Sequence, residues 1–223
     1  MANVINVAID GPAGAGKSTI ARLLAQRLGF LYLDTGAMYR AVALKVFESG
    51  IAVGDEKNIK KMLETTKLDI LYNDGVQKII LDGKDVSADI RQPIISTYAS
   101  DVSKIKAVRL KMVEMQRAIA GKQNSILDGR DIGTFVLPDA KYKIFLTASV
   151  DERAKRRFDE LRQKGVECNL EQIKKDIEAR DYNDSHRDFA PLKKADDAIE
   201  VDTSFMSIEQ VAQKIIGIVK KEK

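Results

Sequence analysis

Val4-Ile5-Asn6-Val7-Ala8-Ile9-Asp10 runs without a break into Gly11-Pro12-Ala13-Gly14-Ala15-Gly16-Lys17-Ser18-Thr19. The first segment is a short, apolar, β-rich run of the kind that forms a buried strand. The second matches G-x-x-x-x-G-K-[ST] at every required position, and Ile20, Leu23, Leu24 and Leu28 then mark an amphipathic helix that Gly29 closes. In a strand–loop–helix unit of this kind, glycines let consecutive backbone N–H groups curl around phosphate oxygens. The helix N-terminus adds its positive end. Gly11 to Thr19 therefore predict a nucleoside triphosphate site, with Lys17 on the β/γ-phosphates and Ser18 offering its hydroxyl to Mg²⁺.

Outward from this unit, strand and helix patterns alternate, as expected of an α/β fold with a mostly parallel, buried sheet. Further strands are predicted at Phe30–Leu33, Ser125–Asp128, Tyr142–Thr147 and Ala198–Asp202. Further helices are predicted around Met38–Val46, at Ile105–Ala120 and Asp151–Lys164, from an Asn169 N-cap past Arg180, and at Ser207–Lys220. Leu68–Tyr72, the turn Asn73-Asp74-Gly75 and Gln77–Leu81 read as a β-hairpin. Asp82-Gly83-Lys84 adds a second turn and Pro93 marks the way out, so the hairpin is expected to belong to a small inserted domain.

Composition narrows the chemistry. The chain has 223 residues, 44% of them apolar, which suffices for a core. No apolar run reaches membrane-spanning length and no secretory leader opens the sequence, so a cytoplasmic protein is expected. One cysteine, Cys168, excludes an internal disulfide and a multi-thiolate metal site, and one histidine, His186, excludes poly-histidine metal centres. Both read as bystanders. The 37 basic against 33 acidic residues leave a net charge of +4 and point to a polyanionic partner. A nucleic-acid-binding reading lacks an aromatic-interleaved basic surface. A signalling GTPase would need an N-K-x-D segment, and none is present.

Size and phosphate loop fit a small-molecule kinase, and other motifs speak to its acceptor. Asp34-Thr35-Gly36-Ala37-Met38-Tyr39-Arg40 follows the second strand, where a parallel sheet presents its ligand crevice. Arg40 is there either a bidentate phosphate clamp or a solvated arginine. Asp128 closes the apolar run Ile126-Leu127 ahead of Gly129-Arg130-Asp131, the place where phosphate-loop enzymes hold the metal or its waters. Arg180, Asp184 and Arg187 are spaced i, i+4, i+7, predicting one helical stripe that is either a ligand face or an ion-pair ladder. Arg153 and Arg157, with Arg156 between, make either a solvated basic face or an arginine-bearing flap over a triphosphate.

Taken together, these motifs resemble the bacterial cytidylate kinases of the nucleoside monophosphate kinase family. The matching stretches are D-G-P-A-G-A-G-K-S-T, D-T-G-A-M-Y-R, L-D-G-K-D-V-S-A-D-I-R, L-D-G-R-D-I-G-T, R-D-Y-N-D-S-H-R and A-P-L-K-K-A-D-D-A, which span nearly the whole chain. The resemblance implies transfer of the ATP γ-phosphoryl group to CMP, or dCMP, with Mg²⁺ and no nucleic-acid or membrane partner. It implies a P-loop kinase core with a five-stranded parallel sheet over residues 1–64, 101–150 and 167–223. A monophosphate-binding insert at 65–100 and a lid at 151–166 complete it, in a monomer that closes two flaps. It assigns CMP binding to Thr35, Arg40, Ser100, Arg109, Arg130, Asp131, Arg180, Asp184 and Arg187. Of these, Ser100, Arg109 and Asp131 would read cytosine, Arg40, Arg130 and Arg187 the phosphate, and Arg180 with Asp184 the ribose region. Lys17, Arg130, Arg153, Arg157 and Arg187 would be catalytic, and Asp128 would order Mg²⁺ waters beside Ser18.

Overall fold

The computed structural model describes residues 4–73 and 76–220. The chain divides into two compact units, one of residues 1–32 and 123–223 and one of residues 33–122.

The first unit is built on β1 (Asn6–Asp10), in which Val7, Ala8 and Ile9 are fully buried. β1 pairs in parallel with β6 (Ser125–Gly129) on one side and β7 (Tyr142–Thr147) on the other, and β7 pairs in parallel with β8 (Ile199–Asp202). With β2 (Leu31–Asp34) the sheet has five strands in the order β2-β6-β1-β7-β8. Because β1 is central and buried on both faces, its side chains do not alternate in polarity. α1 (Lys17–Leu28) leaves the phosphate loop and ends at Gly29, whose left-handed φ of 67° lets its N–H return to the Ala25 carbonyl. Ile20, Leu24 and Ala25 of α1 join Val211, Ile215 and Val219 of α8 (Ile208–Lys220) and strand residues Val7, Ile9 and Ile144 in one core. α6 (Val150–Gln163, capped by Ser149) and α7 (Leu170–Ser185, capped by Asn169) form a hairpin around a small core of Ala154, Ile173 and Ile177.

The second unit begins inside β2. The Asp34 carboxylate caps α2 (Thr35–Glu48) by accepting from the Ala37 N–H at 2.9 Å. α4 (Pro93–Val102) and α5 (Lys106–Ala120) pack on α2, α3 (Glu56–Thr65) packs on α5, and an antiparallel sheet of β3 (Leu68–Asn73), β4 (Val76–Leu81) and β5 (Lys84–Asp85) completes the unit. The expected hairpin is present, while Asp74 and Gly75 of its turn lie outside the described residues. α3 was not expected; its core contribution is only Ile59 and Leu63, one turn apart, set among lysines and glutamates. Pro93 opens α4 in the first-turn position where its missing N–H costs nothing, so it begins an element as well as ending one.

The strand–loop junction needs a glycine for a reason separate from phosphate. A Cβ on Gly11 would collide with the Leu146 carbonyl oxygen of β7, and only a shift of backbone could relieve it. At Gly29 the space is open and only the positive φ opposes a side chain. In denaturant unfolding, Gly29→Ala is expected to cost about 1–2 kcal/mol. Gly11→Ala is expected to cost more than that, because strained backbone must also move.

Candidate active site

At the carboxyl end of β1 the loop from Gly11 to Gly16 turns twice through left-handed glycines, Gly14 (φ 77°) and Gly16 (φ 86°). Alternation of this kind gathers N–H groups into an anion-binding concavity at the start of α1. Lys17 is buried, and its ammonium donates to the Pro12 carbonyl at 2.8 Å. Burial and the neighbouring Arg130 cation drive its pKa well below the ordinary lysine value, and Asp128 only partly opposes them. Ser18 donates its hydroxyl to Asp128 Oδ2 at 2.7 Å, and Tyr32 donates to Oδ1 at 3.0 Å. A hydroxyl and a carboxylate this close are hard oxygen donors of the kind Mg²⁺ takes, so the pair fits the ion that the motif implies.

The chain leaving β6 delivers Arg130 and Asp131. Arg130 is half-buried and donates from Nε to Asp184 Oδ2 on α7 at 2.7 Å. Burial alone would raise the Asp184 pKa, but Arg130, with Arg180 and Arg187, outweighs it and holds the carboxyl below its usual range. Arg187 Nη2 lies 3.3 Å from Asp131 Oδ1. Arg187 is not on the helical stripe expected from the i, i+4, i+7 spacing, because α7 ends at Ser185. Ser185 Oγ donates to the carbonyls of Asp181 and Tyr182, and the latter also takes the His186 ring and the His186 N–H that closes the last helical turn. The chain turns back instead, the Leu192 N–H donating to the Asp184 carbonyl and Arg187 Nε to that of Ala190. Arg187 still reaches the cluster, by a different route.

Arg153, near the start of α6, is also buried. It donates to the carbonyls of Ala148 (2.9 Å) and Ala13 (2.8 Å) and pairs with Asp181. Arg157 is exposed and pairs along its own helix with Glu160 at 2.8 Å. The first unit thus gathers Lys17, Ser18, Asp128, Arg130, Asp131, Arg153, Asp184 and Arg187 by direct pairs or short chains, and leaves Arg157 outside. In the second unit Thr35 is buried, and Arg40 and Ser100 are half-buried. Arg109 is 1% exposed on α5, with its guanidinium 5.5 Å from the Tyr39 ring and Nη1 donating to the Ser103 carbonyl.

Three residues of this region were not singled out from sequence. Tyr32 carried no signal beyond its strand. Asp181 stands between Arg180 and Asp184 and was passed over because the helical stripe skips it. Asp10 did carry a signal, being an acid that closes a buried strand, as Asp128 is. Its carboxylate accepts from the N–H groups of Ile132 (2.8 Å) and Gly133 (2.7 Å) at the start of a single π-helical turn, Ile132–Val136. Asp10 thereby holds the segment that follows Arg130 and Asp131.

The model for cytidylate kinase matches residues 7–221. The chain belongs to the cytidylate kinase family. It is 53% identical over 219 residues to a cytidylate kinase of Lactobacillus johnsonii, covering 98% of this chain and 95% of that protein. It is 55% identical over 217 residues to one of Caldicellulosiruptor bescii, covering 97% and 96%. Among solved structures, an uncharacterized protein of Eubacterium ventriosum has a TM-score of 0.54 at 14% identity, covering 98% of this chain and 99% of that one. A shikimate kinase of Bacteroides thetaiotaomicron has a TM-score of 0.50 at 12% identity, covering 98% and 99%. These likenesses bear on the fold alone, a phosphate-loop kinase core.

Asp10 sets a pH dependence. Burial, the largest influence, raises its pKa from 3.8 to about 6 against the two backbone hydrogen bonds. Between pH 4 and 6 the folded state therefore binds more protons at this carboxyl than the unfolded state, and stability falls as pH rises. Asp10→Asn lacks that dependence. The stability of wild type minus that of Asp10→Asn should fall by roughly 2–3 kcal/mol from pH 4 to 7, as read by denaturant unfolding at each pH.

Proposed function

We propose that the protein transfers the γ-phosphoryl group of ATP to CMP, and to dCMP, giving ADP and CDP or dCDP. What carries the reading is a cationic cluster at the mouth of a phosphate loop, in which buried Lys17 meets half-buried Arg130, with Arg180 close enough to perturb Lys17. Cations gathered this closely out of water oppose one another until an anion of several charges arrives. The relatives' names supply the acceptor.

Gly11 to Thr19 hold the ATP phosphates through backbone N–H groups and Lys17. Ser18 and Asp128 would hold Mg²⁺, which when bound neutralises phosphate charge as it shifts during transfer. Phosphoryl transfer asks little covalent chemistry of the protein, so positioning and charge stabilisation are its tasks. Arg130 and Arg187 ligate the acceptor phosphate and stabilise the transferring group, joined by the lid arginines Arg153 and Arg157. Arg40 and Thr35 serve the acceptor as well, Arg40 at its phosphate. Arg180 and Asp184 hold the ribose region. Ser100, Arg109 and Asp131 read the base: a carboxylate such as Asp131 accepts from the amino group of cytosine and would face the carbonyl of uracil unpaired. The 65–100 insert and the 151–166 lid are the parts that exclude water. The reading takes the enzyme to act on free nucleotides, as a cytoplasmic monomer.

The test is turnover of CMP, dCMP, UMP and AMP, each with MgATP. CMP should exceed UMP in kcat/KM at least about tenfold, since leaving a buried polar group unpaired costs about 1–3 kcal/mol. Equal or better turnover of UMP or AMP would overturn the assignment. Arg109→Met and Asp131→Ala should impair CMP use far more than ATP binding.

A further inference from the structure

Asp181 belongs to none of the roles above, yet it touches the phosphate loop itself. Its Oδ1 accepts from the Ala13 N–H at 3.1 Å, while its Oδ2 pairs with Arg153 Nη1 at 2.5 Å. The same Nη1 donates to the Ala13 carbonyl at 2.8 Å. One loop residue is thus gripped at both its donor and its acceptor by an ion pair contributed by α6 and α7. The seat is close: a Cβ on Gly14 would meet Arg153 Cβ at 3.2 Å, so the arginine stem lies directly against the loop glycine. Arg153 is itself anchored by Nε to the Ala148 carbonyl, and its side chain is only 5% exposed.

A carboxylate beside a triphosphate site is unfavourable on charge alone. Coulomb repulsion predicts that removing it should tighten nucleotide binding. Its retention on the loop backbone, neutralised by a buried arginine, argues for a geometric purpose. We propose that Asp181 is a positioning residue for the donor nucleotide. Together with Arg153 it fixes the Ala13 peptide, so that the loop from Gly14 onward presents its N–H groups without prior rearrangement. The gain is preorganisation: a loop already held in its binding shape loses less conformational freedom when phosphate arrives. The inference rests on the reading of this loop as the ATP site.

MgATP binding to the full-length protein, titrated calorimetrically with CMP absent, tests it. Asp181→Ala is expected to weaken MgATP about tenfold, the opposite of the repulsion argument, and Arg153→Met to weaken it by at least as much. Because both act through one peptide, Asp181→Ala/Arg153→Met should bind no more than about threefold worse than Arg153→Met alone. Asp181→Asn keeps the acceptor for the Ala13 N–H, and its affinity should fall between those of wild type and Asp181→Ala. It also stands in if Asp181→Ala does not fold, and is then expected to weaken MgATP severalfold. Unchanged or tighter MgATP binding in the Asp181 variants overturns the proposal, as does a double variant whose losses multiply. Wild-type protein that binds no MgATP would sink the reading of the loop itself. Wild-type binding with no CMP turnover would sink only the acceptor assignment.

Discussion

Burial and the guanidinium of Arg130 both oppose the charge of the Lys17 ammonium, and what answers them is oxygen: the Pro12 carbonyl in direct contact and the Asp128 carboxylate nearby. Much of the surrounding structure follows from that one strained cation. Asp128 can face Lys17 because Ser18 and Tyr32 each donate to it, and it stands there because it ends a strand paired with β1. Arg130 is half-buried, and Asp184 meets its charge at 2.7 Å. Removing Arg130 would leave the buried Asp184 carboxylate without its closest cation, so that pair does not tolerate casual change.

The same logic explains why the loop is tied to helices as well as to the sheet. Strands place Asp10 and Asp128 to within a register position, since a parallel ladder leaves no choice of partner. The loop has no ladder of its own. Its shape comes from left-handed glycines, from the closeness of Gly11 to Leu146, and from the Asp181–Arg153 pair across Ala13. Asp10 extends the support in the other direction by capping the turn after Asp131. Carboxylates at loop and turn backbones orient the cations and amides that phosphate is to meet.

The core was legible because its signals are local. A buried strand, a glycine-rich loop and a helix with apolar residues on one face are each visible within about ten residues, and glycines mark the ends of α1 and α6. α3 was missed because two apolar residues among charged ones resemble a solvated segment. The route of Arg187 was misjudged because residue spacing assumes a helix continues, whereas α7 ends at Ser185 and the chain folds back so that Leu192 donates to the Asp184 carbonyl. Asp181 was passed over for a related reason. Its partners lie 28 and 168 residues away, and no spacing rule within one helix brings them to view.

If the cost of holding Lys17 charged out of water is the central tension of the site, removing the charge should relieve it. Thermal unfolding of Lys17→Met against wild type, each with and without MgATP, measures this directly. The account predicts that the ligand-free variant melts a few degrees above ligand-free wild type, as about 1 kcal/mol would give in a protein of this size. It further predicts that MgATP raises the midpoint of wild type only. A variant that melts at or below wild type, or that MgATP still stabilises as fully, would contradict it.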